Sequence, residues 1–234
     1  MVSYFTILWL IYYVTSLQSF PVFCGYLLLI AMSRLWQKCT SPLNLRPFLI
    51  LHNFGCCLVS LITLCGFVYS VYLSGSIYSK TPTSFLKLCF WLYWTTKNVE
   101  LLDTVFMILR HRSRQISFLH VYHHSSMLLL SNIAYNSYYW PAIGSILAIN
   151  SFVHVVLYLY YGLSALRPQN PPQWKKQVTQ IQILQFVLGF CIAFYGYAHG
   201  HYCLYSIFYN STMFTLFSHF YYHAYVKTPK LKLK

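Results

Sequence analysis

The chain has 234 residues, of which 58% are hydrophobic, 20% aromatic and only 8% charged. This excludes water as the main solvent and leaves no room for a separate soluble domain, because apolar runs of about 20 residues, enough to cross a bilayer, recur along almost the whole length. Sixteen Lys and Arg face two acids, Glu100 and Asp103, for a net charge of +14; on a soluble chain that would suggest nucleic acid, but membrane proteins collect Lys and Arg on cytoplasmic loops, so nucleic acid is not an expected partner.

From the N-terminus, residues 4–17 are apolar, lack a basic leader and a clear cleavage site, and are separated by Pro21 from the first long apolar run. They read as a lumenal interfacial helix, an extension of the first span or an eighth crossing. Hydropathy then predicts seven helices over 21–36, 48–74, 85–109, 121–136, 140–164, 178–198 and 205–226. The domain organisation expected is an N-terminal segment 1–20, one seven-helix membrane domain 21–226 and a basic tail 227–234. The eight cysteines show no C-x-x-C pair or framework spacing and read as buried, inert thiols.

Charge alternates between the loops. Arg34, Lys38 and Arg46 fall in the first loop, Arg110, Arg112 and Arg114 in the third, Arg167, Lys175 and Lys176 in the fifth, and Lys227, Lys230, Lys232 and Lys234 in the tail, whereas the even loops hold little beyond Lys80 and Lys87. Odd loops and C-terminus are therefore expected in the cytosol, with the N-terminus opposite. Lys230 and Lys232 match a dilysine retrieval pattern for the endoplasmic reticulum; a basic tail gripping anionic lipid heads is the plainer alternative.

Four polar clusters interrupt the apolar spans. Lys97, Glu100 and Asp103 are spaced i, i+3, i+6 in one helix, where each ionisable side chain costs about 2.5–3.5 kcal/mol at the centre of a span unless partnered or hydrated. His120, His123 and His124 share a face of the next helix. Asn150 and His154 lie one turn apart in a run that continues through Tyr158 and Tyr161, and Thr179, Gln182 and Gln185 come next at helical spacing. Singly, these are an ion-pair network, interhelical hydrogen-bond clasps and an interfacial aromatic belt. Counted at about 1.5 Å per residue from loops of known side, Asp103, Gln182 and Gln185 lie about 10 Å deep, His123 shallower, and His154 about 20 Å deep, so the clusters favour the cytoplasmic half. His199 and His201 read as lumenal.

On these residues the chain resembles the ELO family of fatty acid elongases, membrane 3-oxoacyl-CoA synthases. Lys97 to Thr104 matches its K-x-x-E-x-x-D-T stretch, His120 to His124 its H-x-x-H-H box, Asn150 to Tyr161 its N-x-x-x-H-x-x-M-Y-x-Y-Y run, and Thr179 to Gln185 its T-x-x-Q-x-x-Q. Leu157 stands where the family usually has Met, a mild apolar exchange; the last span is unusually His-rich, with His219 and His223, and the chain is short at its N-terminus. The resemblance implies an all-α membrane protein, a seven-helix barrel around an acyl-chain tunnel in the endoplasmic reticulum. Its activity would be to condense acyl-CoA with malonyl-CoA, lengthening the chain by two carbons and releasing CO2 and CoA, with no cofactor and no metal beyond those substrates. Membrane lipids, other enzymes of the elongation cycle and a second copy of the chain are the expected partners.

Soluble condensing enzymes generally use a cysteine, but none neighbours the histidine box in sequence, so an imidazole is expected to take the acyl group, with His123 the choice and a ping-pong course. His154 and Asn150 would donate to the enolate left by decarboxylation. Glu100 and Asp103 would orient or charge-stabilise imidazoles, with His120 and His124 completing the catalytic set, and Lys97, Tyr158, Tyr161, Gln182 and Gln185 would meet substrate. The rival enzyme reading is a di-iron desaturase or hydroxylase, which also uses H-x-x-H-H but needs further boxes; His219-x-x-x-His223 is the only other close pair in a span. A transporter, a receptor or an inactive elongase relative complete the alternatives. Asn210-Ser211-Thr212 is a formal glycosylation sequon, doubtful inside a span.

Overall fold

The computed structural model describes residues 4–200, 202 and 204–227; Lys230, Lys232 and Lys234, His201 and Cys203 lie outside the described residues. Every regular element among them is helical: α1 (Tyr4–Thr15), α2 (Phe20–Lys38), α3 (Arg46–Ser74), α4 (Ser84–Val99), α5 (Leu102–Leu109), a 3-10 turn (Ser113–Gln115), α6 (Phe118–Ser137), α7 (Pro141–Leu166), α8 (Lys175–Ala198), α9 (Leu204–Tyr221) and a closing π-turn (Tyr222–Val226). The chain is an all-helical, multi-pass membrane protein. Helices α2, α3, α7 and α8 are long and apolar enough to cross a bilayer by length and composition alone. The other expected spans are present as helices but differ in kind. That over 85–109 is interrupted into α4 and α5, while α6 and α9 dilute their apolar residues with His, Ser, Thr, Asn and Tyr.

Contacts gather the helices into two compact units, one of residues up to Leu45 with Lys87–Tyr139, the other of Arg46–Leu86 with residues from Trp140 onward. In the first unit α1 is a helix of its own, not an extension of α2. Its 12 residues span about 18 Å. The chain then turns through Ser16–Ser19, and Pro21 enters the first turn of α2, where its missing N–H costs nothing. The elbow is held by polar groups around the buried Ser19 and Asn132: the Ser19 N–H donates to Asn132 Oδ1 at 3.0 Å, the Asn132 amide to Gln18 Oε1 at 3.2 Å, and the Trp94 indole N–H to Ser19 Oγ at 2.7 Å.

Helix α5 stops where His111 takes a left-handed backbone, φ 55°, with the Arg112 N–H donating to the Met107 carbonyl and the His111 N–H to that of Ile108. This is the hydrogen-bond pattern of a Schellman stop, usually built on glycine. The imidazole offsets the strain through tertiary contacts, edge-on to Trp36 at 6.0 Å and 3.3 Å from the Thr40 hydroxyl.

The second unit is built on α3 against α7 and α8 against α9. Gly162 of α7 lets the Phe54 ring of α3 approach so closely that an added Cβ would sit 3.1 Å from it, and the Cys57 thiol donates to the Val155 carbonyl at 3.5 Å. Gly189 of α8 accommodates the Asn210 side chain of α9 in the same way. Asn210 is therefore buried, its amide donating to Ser206 O at 2.8 Å, and the sequon is closed to a glycosyl carrier.

Candidate active site

The first unit holds the lysine–acid stretch and the histidine box. Helix α4 ends at Val99 and α5 begins at Leu102, because the ladder tightens between them: the Leu101, Asp103 and Thr104 N–H groups donate three residues back rather than four. At that pitch side chains three apart eclipse one another. Lys97 and Glu100 are 3% and 1% exposed, and Lys97 Nζ donates to Glu100 Oε1 at 2.7 Å. The ammonium also lies over the Tyr93 ring, 4.8 Å from its centroid. Two charges this deep are tolerable only because each neutralises the other. Asp103 is half-buried and acts electrostatically on both Tyr26 and His120.

Helix α6 presents the imidazoles. Ser117 caps it, its hydroxyl accepting from the His120 N–H, which places all three histidines in the first two turns. The rings of His120 and His124 are 4.4 Å apart between centroids, those of His123 and His124 5.5 Å. His124 sits in the field of His120, His123, Glu100 and Lys97, so the two motifs form one electrostatic cluster. Nδ1 of His123 is shielded from solvent. The Thr104 hydroxyl lies 2.7 Å from His120 Nε2 and 3.1 Å from Tyr26 Oη of α2.

The second unit holds the other two motifs. Asn150 and His154 are buried on α7, and the Asn150 amide donates to Gln185 Oε1 of α8 at 3.3 Å, so two of the expected amides meet. Gln182 is half-buried one turn earlier. Tyr158 is buried with its ring between two imidazoles, His154 at 5.8 Å and His52 of α3 at 6.1 Å. Tyr161 is exposed, edge-on to Tyr158 and Tyr160.

Sequence reasoning passed over Tyr26, His52 and Cys56. His52 and Asn53, adjacent polar residues inside the apolar run of α3, carried the same signal as the four motifs; one of 23 tyrosines carried none. Cys56 lies 3.8 Å from the nearest ring nitrogen of His52, so a thiol–imidazole pair exists in this unit although the histidine box has no cysteine beside it in sequence. Among the described residues no group of three His, Cys, Asp or Glu is arranged to hold a metal ion.

The family model described as "ELO: GNS1/SUR4 family" matches residues 6–233. The chain belongs to the ELO family. It is 38% identical over 215 residues to very long chain fatty acid elongase 1 of Mus musculus, covering 82% of this chain and 75% of that protein. The corresponding human protein is 37% identical over the same shares, and elongase 5 of Bos taurus is 34% identical over 223 residues, 86% of this chain and 72% of that one. As an ELO protein the chain fills each polar position of the four motifs, and Leu157 is its one departure within them.

Proposed function

We propose that the protein is a very-long-chain 3-oxoacyl-CoA synthase, condensing acyl-CoA with malonyl-CoA in the first step of fatty acid elongation. The observation that carries this reading is the buried Lys97–Glu100 pair and the three adjacent imidazoles within one unit of a chain similar to an elongase over 82% of its length. An imidazole nitrogen of His123 attacks the acyl-CoA thioester and CoA leaves as the thiol with the displaced proton. Malonyl-CoA then loses CO2, and its carbon–carbon bonding electrons become the enolate of acetyl-CoA. The enolate attacks the acyl-imidazole carbonyl, the carbon–nitrogen bond breaks, the departing imidazole of His123 takes up one proton from water, and 3-oxoacyl-CoA two carbons longer is formed. No electron is gained or lost and no cofactor is needed beyond the substrates.

Each remaining residue has one assigned task. His154 and Asn150 donate to the enolate oxygen, where preorganised donors matter most. Glu100 and Asp103 orient or charge-stabilise the imidazoles of the box, and Lys97 balances the acids or meets a substrate carboxylate. Tyr158, Tyr161, Gln182 and Gln185 contact substrate. Seven crossings, residence in the endoplasmic reticulum through Lys230 and Lys232, and association with other elongation enzymes or a second copy belong to the same proposal.

The test is incorporation of labelled malonyl-CoA by the full chain in lipid vesicles, offered saturated and unsaturated acyl-CoAs of several lengths. Wild type is expected to yield 3-oxoacyl-CoA, and folded His123→Ala none. No product from any acyl-CoA would sink the elongase reading; product from His123→Ala would move the nucleophile to another residue.

A further inference from the structure

The Thr104 hydroxyl stands between Tyr26 Oη at 3.1 Å and His120 Nε2 at 2.7 Å. Tyr26 and Thr104 are buried and come from different helices, α2 and α5, while His120 opens α6. Each hydroxyl has one proton to give and two lone pairs to accept with. If Thr104 accepted from both neighbours its own proton would be stranded, since it has no other hydrogen-bonding partner among the described residues, so the row has two further arrangements to compare. In the first, Tyr26 donates to Thr104 and Thr104 donates to Nε2; every hydroxyl proton is used, and neutral His120 carries its own proton on Nδ1. In the second, Nε2–H donates to Thr104 and Thr104 donates to Tyr26. The phenol proton is then stranded, because Thr104 is the only hydrogen-bonding neighbour of this buried hydroxyl among the described residues. A buried donor left unmet is costly, so the first direction prevails.

We propose that Tyr26 is a positioning residue of the histidine box: acting through Thr104, it fixes His120 in the Nδ1–H form with Nε2 as acceptor. The proton that neutral His120 offers to its surroundings is then on Nδ1, in a ring 4.4 Å from that of His124. Tyrosine is needed for this and phenylalanine is not enough, because the phenol, by donating to Thr104, fixes the rotor of that hydroxyl and strengthens its bond to Nε2, and without it the preference for the Nδ1–H form weakens. The consequence for turnover rests on the elongase reading; the tautomer itself does not.

The direct test uses full-length protein with 15N-labelled histidine in lipid bilayers, at about pH 8, where an unperturbed imidazole is neutral. Ring 15N shifts tell a protonated nitrogen from a bare one, and His120 is identified by the signals lost in His120→Gln. Wild type is expected to show His120 protonated on Nδ1, Tyr26→Phe and Thr104→Val a mixed or Nε2-protonated ring, and Thr104→Ser the wild-type form. Wild-type His120 protonated on Nε2 overturns the proposal whether or not any variant folds, and an unchanged tautomer in folded Tyr26→Phe overturns the part given to Tyr26. In the malonyl-CoA assay kcat of Tyr26→Phe is expected to fall about 10-fold, the effect of losing one hydrogen bond of ordinary strength, with KM little changed. An altered tautomer with unchanged kcat would overturn the positioning role. Wild-type protein inert with every acyl-CoA but protonated on Nδ1 would instead sink the elongase reading and leave the assignment of the tautomer standing.

Discussion

In the unit of α1, α2, α4, α5 and α6, the polar interior contains both acids of the chain, a buried ammonium and three neighbouring imidazoles, and these groups bear directly on one another. The unit of α3, α7, α8 and α9 is also polar inside, but apart from His52 and His154 it holds amides and hydroxyls. Many of these return their protons to their own helix: Asn53 to Leu49 O, Ser70 to Gly66 O, Ser164 to Tyr160 O and Asn210 to Ser206 O. The difference is one of desolvation. A neutral donor is satisfied by a backbone carbonyl one turn back, so it needs no special geometry. A buried charge needs an opposite charge in contact, and the helix is rewound between Val99 and Leu102 where that contact is made.

The contrast breaks most sharply at Glu100. Glu100→Gln keeps the shape but leaves the buried Lys97 ammonium without its carboxylate, which is expected to cost about 3–5 kcal/mol. Thermal denaturation of detergent-solubilised protein, followed by size exclusion, should show a large loss of folded material. Lys97→Met combined with Glu100→Leu should recover most of the stability with no activity, separating the folding part of the pair from its chemical part. A Glu100→Gln protein as stable as wild type would mean that the pair does not organise this unit. The matching change in the second unit, Asn150→Leu, deprives Gln185 of a donor and should cost less, about 1–3 kcal/mol. A loss as large as that of Glu100→Gln would erase the distinction between the two interiors.

Legibility in the sequence divides along the same line. The 48–74 and 178–198 spans reappear as Arg46–Ser74 and Lys175–Ala198, because each apolar run starts at a charge, Arg46 or Lys176, and stops at a left-handed glycine, Gly75 or Gly200. Contacts three or four residues apart, Lys97 with Glu100 and His120 with His124, follow from helical spacing. The interruption at Glu100–Leu101 was not legible. No Pro or Gly marks it, and the periodicity of 85–109 runs straight through. Nor were Asn150 with Gln185, Tyr158 with His52, or Thr104 between Tyr26 and His120, since each joins residues of different helices. Pairing of helices decides these contacts, and one sequence without its fold does not encode it locally.

The smallest expected effect sharpens the neutral character of the second unit at its loop end. Tyr202, between α8 and α9, is buried; its hydroxyl donates to the Ala142 carbonyl at the start of α7 and lies 3.5 Å from Ser145 Oγ, while Gly196 leaves room for its ring. Burial pushes this phenol up to about 12, with the Ser145 hydrogen bond acting in the opposite direction. A phenol whose folded value is raised contributes its full stability below its unfolded value of about 10 and loses it as pH climbs towards 12, because the unfolded chain ionises first. Tyr202→Phe should therefore be less stable than wild type by about 1 kcal/mol, one hydrogen bond, at any pH below about 10. Above that the gap should close, since phenylalanine has no proton to lose. The two proteins differ at this phenol alone, so the difference between their base-denaturation curves isolates it. Curves that stay parallel through pH 12 would mean that Tyr202 ionises as readily folded as unfolded, and that the end of α7 is not sealed by a neutral phenol.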